Sequence, residues 1–498
     1  MVEPLSPQAT EVDGVPVFWA DLGEAHDTLC LLFRVGQADE RFTRIGLTHL
    51  VEHLALNTVG PQPYSWNGFV DLTFCGFHAT GQPDELVDFA ARVCAALRAL
   101  PPDRLEHETR VLRTEAEGRG RGPFQRLLWY RFGAQRYGLS GLPEWALWTA
   151  GMAEIQAWAT ARFNRRNAAL WYGGRLPPGL RLDLPEGERL APAEAVLIDP
   201  LPLPSVVEDV PGGVAVGSLC RRSSAMTLAA ALVTQQATAR LRLERGIARQ
   251  VDCLYCPLTA ELAHVAFSVP ALAEHTDEVS AGLVEVLQGM AEAGPEPETF
   301  ERTKEQGRRV WADRWTTYST LDWRARESLV SRRVQGVEEL VAEAEGVTPE
   351  MVRAGVAEAL TSAILLVPPN GHKPGAPFRD YPNTSTETIV RGVRYVLNPS
   401  AAVQPTGWRR WFGWTPPPPE YPRLLIGEDG VMLALAPGRQ VTVRRDGCAG
   451  YVVGKQGART AYGLDGFNVH VVGEEWVDGD QAIRDLDALF PEQCRIVV

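Results

Sequence analysis

His49-Leu50-Val51-Glu52-His53 sets two imidazoles four residues apart with a carboxylate directly before the second. This H-x-x-E-H order is how a helix presents an inverted zinc-peptidase site. Positions i, i+3 and i+4 share one helical face, so His49 and His53 can grip one metal while Glu52 reaches a water bound beside them. Those residue types at that spacing predict peptide hydrolysis. The competing reading of a short H-x-x-x-H is a pair of solvated or packed histidines. The flanks favour chemistry: Gly46-Leu47-Thr48 leads in, Leu50, Val51 and Leu54 give the helix an apolar side away from the metal face, and Asn57 with Gly60-Pro61 stops it.

The motif must be held by its neighbours. Residues 15–22 and 28–35 read as strands joined by a turn, and 69–80 as a strand pair. Residues 83–100 have helical periodicity, with Leu86, Phe89, Val93 and Leu97 inward. A further helix starts at Pro101-Pro102-Asp103 and runs to about residue 119. On it Leu105, Glu108, Leu112 and Glu115 are spaced three, four and three, so two carboxylates share an apolar stripe. Buried carboxylates are costly unless something charged compensates them. Zinc does so, and so does an arginine such as Arg110, Arg113 or a distant guanidinium.

From about residue 206 the pattern restarts: strand, long helix at 225–242, two strands, then helices at 275–292 and 297–313. Similar element order points to an internal duplication in which only the first copy bears the metal motif. Prolines break the chain at 369–385 and again at 416–419, and between them stand Trp408, Trp411 and Trp414 beside Arg409 and Arg410. The tryptophans suit packing on a neighbouring domain, or a partner or membrane-interface anchor. The tail alternates in short strands and ends in a helix near 480–490, a β-rich pattern such as a pleckstrin-homology-like barrel. The expected division is 1–204, 205–368, a linker at 369–422 and a module at 423–498.

The 498 residues suit roughly three units. Lys+Arg 49 against Asp+Glu 62 gives a net charge of -13, which disfavours nucleic acid or an anionic membrane as the main partner. No apolar run reaches membrane-spanning length, and no secretion-signal core precedes Arg34. Eight scattered cysteines suit a reduced, cytoplasmic protein. Cys253-x-x-Cys256 lacks a second pair and reads as structural.

With His49, Glu52, His53, Glu108 and Glu115 in view, residues 14–365 resemble the pitrilysin/insulinase family of inverted zinc peptidases, especially its small bacterial and mitochondrial-processing branch. Gly46, Asn67, Gly141 and the stretch 167–174 add to the likeness. The resemblance implies an α+β fold of two homologous domains, each a mainly antiparallel sheet with helices on one side. It implies zinc on His49, His53 and Glu115, activation of water by Glu52, and support from Glu108. It also implies peptide or unfolded substrates and pairing into a closed chamber. Two departures stand out. The His53-to-Glu115 segment is short for the family. Where the family has an Arg and a Tyr seven apart to hold substrate, the chain has Arg242 but Arg249, with Tyr255 as a substitute. A second, non-identical subunit is then the expected source of the missing group, so a heterodimer is favoured over a homodimer. The implied activity is a zinc endopeptidase, and the departures from the family pattern suggest one dedicated to maturing a single precursor peptide. The rivals are a non-catalytic scaffold subunit and a peptide-binding protein active only with a partner.

Overall fold

The computed structural model describes residues 7–398 and 421–498 except positions 22, 119, 200, 210–211, 313–315, 331, 370, 372–374, 376, 386 and 390. Trp408, Trp411, Trp414 and the proline run lie outside the described residues.

The first half is a six-stranded sheet in the order β1-β2-β6-β3-β5-β4. Its strands are β1 (Gln8–Val12), β2 (Val15–Ala20), β3 (Asp27–Phe33), β4 (Ser65–Val70), β5 (Cys75–Gly81) and β6 (Ala168–Gly173). The strand expected at Val15 is therefore preceded by another. Asp13 and Gly14 between them hold φ of 50° and 83°, the left-handed pair that closes a two-residue hairpin. The helices are α1 (Leu47–Asn57), α2 (Pro83–Arg98), α3 (Leu105–Ala116), α4 (Pro123–Phe132), α5 (Ala146–Thr149) and α6 (Met152–Arg162). Leu50, Leu54, Phe89, Val93 and Ile155 of α1, α2 and α6 bury against Val17, Leu29, Leu31, Phe33 and Phe77 of the sheet. α2 starts where its sequence says it should: Pro83 occupies the first turn, and Glu85 accepts the Gln82 N–H at 2.7 Å.

The second half repeats the plan in the order β12-β7-β11-β8-β10-β9. These strands are β7 (Ser205–Glu208), β8 (Gly213–Arg221), β9 (Asp252–Pro257), β10 (Leu262–Pro270), β11 (Ile364–Val367) and β12 (Arg379–Asp380). The helices are α7 (Ser224–Ala237), α8 (Thr276–Ala293), α9 (Pro297–Ala312), α10 (Thr316–Leu329), α11 (Val337–Glu345) and α12 (Pro349–Thr361). β2 runs parallel to β6 as β7 does to β11, and the three pairings that follow in each order are antiparallel; only the outer strands differ, β1 lying antiparallel to β2 and β12 parallel to β7. Five strands of each half thus share order and sense, the physical counterpart of the repeated pattern.

Each sheet also needs a cover for its other face, and the halves exchange one. Leu321, Ala325 and Leu329 of α10 pack on Phe18, Cys30, Leu32 and Ala169 of the first sheet. Leu127 of α4 packs on Val207, Ala215, Ala266, Ile364 and Leu366 of the second.

The third body consists of β13 (Val393–Val396), β14 (Arg423–Gly427), β15 (Gly430–Ala436), β16 (Arg439–Arg444), β17 (Cys448–Val453), β18 (Ala458–Gly463), β19 (Asn468–Val472), α13 (Gly479–Leu489) and β20 (Arg495–Val497). Its two four-stranded sheets share one core with Ala482, Leu486 and Leu489 of α13. The stretch expected to be linker supplies a strand to each neighbour: β12 joins the second sheet and β13 the third body.

Candidate functional site

α1 begins after Gly46, whose φ of +99° favours glycine and where an added Cβ would sit 2.7 Å from Cβ of Glu144. The first turn has no side-chain cap of its own. Glu40 supplies one, accepting the Gly46 N–H at 2.9 Å and the Thr48 N–H at 2.7 Å. Burial pushes the Glu40 carboxyl up to about 7, against the pull of those donors. With Leu50, Val51, Leu54 and Ala55 in the core, the helix turns His49, Glu52 and His53 toward a cavity of about 650 Å³.

The two imidazoles stand edge to face with centroids 4.9 Å apart. Glu52 Oε2 lies 3.7 Å from His49 Nε2 and 3.6 Å from His53 Nε2. Glu115 Oε1, from α3, lies 3.8 Å from His53 Nε2. One ligand atom from each of His49, His53 and Glu115 falls within 4.8 Å of the others. Zinc bonds of about 2.0–2.2 Å put the donors of one ion roughly 3.5 Å apart, so side-chain shifts of about an ångström close the set. Donor types and spacing fit zinc.

Behind the rings stand two further carboxylates. Glu108 Oε2 lies 3.2 Å from His53 Nδ1, and its Oε1 accepts from Asn57 Nδ2 at 2.8 Å. Glu144 oxygens lie 2.9 and 3.1 Å from His49 Nδ1. An Nδ1–H donated to a carboxylate leaves Nε2 as the free lone pair and fixes the ring. On the stripe Glu108 is buried and Glu115 exposed, and Glu108 answers a histidine rather than an arginine.

Glu52 is 3% exposed, and burial pushes its carboxyl up to about 7, with His49 opposing and Glu115, Glu108 and Glu144 adding. Burial lowers His53, with His49 lowering it further, which favours the neutral, metal-binding ring. The edge strand β4 comes close because residue 68 is glycine: a Cβ there would sit 2.1 Å from Glu52 Oε1. A glycine inside a strand is the signal for such an approach. Gly68→Ala is expected to displace Glu52 and lower peptide cleavage at least tenfold, a factor of about 1.4 kcal/mol in barrier, with the unfolding midpoint little changed. A parental rate would remove Gly68 from the site.

Asn67 also lies on β4 and lines the cavity, its Oδ1 accepting the Gly68 N–H at 2.9 Å. Arg242, Arg249 and Tyr255 do not line it. The segment Thr238–Glu244 is a π-helical turn that buries Leu241 and leaves Arg242 exposed; Arg249 is exposed as well. Tyr255 sits half-buried on β9 beside α7. Two other second-half arginines line an adjoining hollow. A larger hollow of about 960 Å³ shares Gln37, Val70 and Glu144 with the metal cavity and reaches Arg222 and Arg326. Arg222 pairs with Glu327 in the interior, and Arg326 pairs with Asp71 at 2.8 Å and Asp322 at 2.7 Å. Sequence reasoning missed Glu40, Gly68 and Glu144; only the strand glycine carried a readable signal. Cys253 and Cys256 belong to no metal-holding group among the described residues.

No protein-family model and no curated protein matches the chain. Solved structures do. A peptidase M16 inactive domain from Pseudomonas fluorescens matches with TM-score 0.61 and 13% identity over 74% of this chain and 100% of that one. A protease from Helicobacter pylori matches with TM-score 0.60 and 12% identity over 73% and 100%. Pitrilysin matches with TM-score 0.55 and 15% identity over 76% of this chain and 47% of that one. The chain has the α+β fold of the M16 peptidases. It is therefore similar in architecture to pitrilysin, as its motif led one to expect. Among the described residues no helix is long and apolar enough to cross a membrane.

Proposed function

We propose that the chain is a zinc metalloendopeptidase of the pitrilysin/insulinase type that cleaves peptides or unfolded segments. The observation that carries this reading is the convergence of His49, His53 and Glu115 on one point of a cavity with Glu52 buried beside them. Zinc bound there would polarise the scissile carbonyl and bring the acidity of a water to near neutral pH. The chain's own residues do the rest. His49 and His53 present Nε2 because Glu144 and Glu108 hold their Nδ1 atoms, and Glu115 completes three donors so that a position stays open. Glu52, its carboxyl near neutrality, takes a proton from the attacking water and returns it to the leaving amine. The edge strand β4 borders the cavity, so an extended substrate segment can pair with its free side while a folded protein is excluded. The purified chain should carry about one zinc and cut an unstructured peptide in a chelator-sensitive way. A metal-free chain would count against the reading.

One observation favours a partner-dependent version of the same enzyme: neither Arg242, Arg249 nor Tyr255 reaches the cavity. We read the substrate-holding pair as supplied by a related subunit, in a heterodimer in preference to a homodimer, and the substrate as one dedicated precursor peptide. Activity of the lone chain on random peptides equal to that of any mixture would remove the need for a partner. A non-catalytic role stands as the alternative if zinc is absent. The eight free thiols suit a reducing compartment such as the cytoplasm.

A further inference from the structure

We propose that the C-terminal module braces the metal centre: it clamps the strap at residues 140–149, whose Glu144 positions His49. This rests on the metal reading of His49 and adds a role for the module.

The strap touches both metal-bearing helices. Glu144 meets His49 Nδ1 on α1, while Arg113 on α3, two residues before Glu115, donates to the Leu147 carbonyl and stacks on Trp148 at 4.9 Å. The Ala146 N–H donates to the Ile45 carbonyl at 2.9 Å, tying the strap to the residue before Gly46. Ala146 and Leu147 of the strap bury in the core of the first half, and its other side meets the third body: Phe42, Ile45, Leu139 and Trp145 share one apolar cluster with Val452, Ile496 and Tyr462.

The contact is closely fitted. The Phe42 ring lies 5.0 Å from that of Tyr462 and 6.4 Å from that of Trp145. A Cβ on Gly450 would fall 2.4 Å from the Phe42 ring. The Ala134 N–H donates to the Leu464 carbonyl at 3.0 Å, where a Cβ on Gly133, with φ of +67°, would lie 2.1 Å from that oxygen. A cluster packed at interior density transmits displacement instead of absorbing it. Loosening Tyr462 therefore frees Phe42 and Trp145, and with them the neighbouring Glu144. Glu144 is a positioning residue: it touches the ring of His49 and not the reacting atoms.

The test is zinc affinity by chelator competition on full-length chains, alongside kcat and KM for an unstructured peptide. Glu144→Gln should weaken zinc about 10- to 100-fold. Tyr462→Ala should weaken it by about tenfold, Tyr462→Phe should match the parent, and Gly450→Ala, which presses one methyl into Phe42, should act like Tyr462→Ala. Adding Tyr462→Ala to Glu144→Gln should cost little more than Glu144→Gln alone. Parental zinc affinity in folded Tyr462→Ala and Gly450→Ala chains overturns the proposal, as does a fully additive double variant. A parent that binds zinc but cleaves nothing, alone or mixed with a related subunit, overturns the peptidase reading and leaves the brace to the affinity data. A parent that binds no zinc overturns both.

Discussion

Glu52→Gln gives a chain that binds zinc as the parent does and cleaves peptide about 10²- to 10⁴-fold more slowly, the loss that follows removal of a positioned proton acceptor. The geometry separates the two properties. Glu52 lies on the ligand face of α1, yet the three donors that converge are His49, His53 and Glu115. Glu52 is the buried member, lodged against the bare backbone of Gly68. Glutamine keeps that shape and removes a carboxyl whose charge burial disfavours, so folding should not suffer. What it cannot do is take the proton. Zinc by metal analysis and a cleavage time course decide the matter: undiminished cleavage removes Glu52 from the chemistry, and loss of zinc with the carboxylate would make it a ligand.

His53→Ala empties the metal site. The imidazole is both a donor and the partner of Glu108, a carboxylate 5% exposed that also holds Asn57, itself bonded to Arg104 at 2.7 Å. Its removal leaves two converging donors and a buried charge short of one contact. The loss of affinity should exceed the about 10- to 100-fold typical when only the group behind a ligand is removed. Equilibrium dialysis should show less than a tenth of the parental zinc. Near-stoichiometric zinc in folded His53→Ala would place the metal elsewhere.

Much of this was readable from residues alone, for identifiable reasons. Periodicity located α1, α2 and α3 because each has one face in a core and one outside. The repeated order of elements foretold two sheets of like topology. Glu108 and Glu115 stood out because charge on a leucine stripe demands compensation. Glu144 did not, since a lone carboxylate after Pro143 looks like any loop residue until the fold brings it 95 positions back to His49. β18 carries little alternation of its own, with Arg459 and Thr460 in succession, and its place is set by pairing with β17 and β19. The arginine-to-tyrosine spacing misled for another reason: a π turn buries Leu241 and rotates Arg242 outward, which no helical wheel of ideal pitch anticipates.

α4 and α10 are traded between the halves, each roofing the sheet of the half it does not belong to. The duplicated halves are thereby committed to one another. A gene cut near codon 205 would yield two fragments that each expose the apolar back of a sheet, Phe18 and Leu32 on one and Ile364 and Leu366 on the other. They would stay soluble only when made together. The same interlock disfavours one kind of motion: drawing the halves apart would strip a helix from each sheet and expose its apolar back to water.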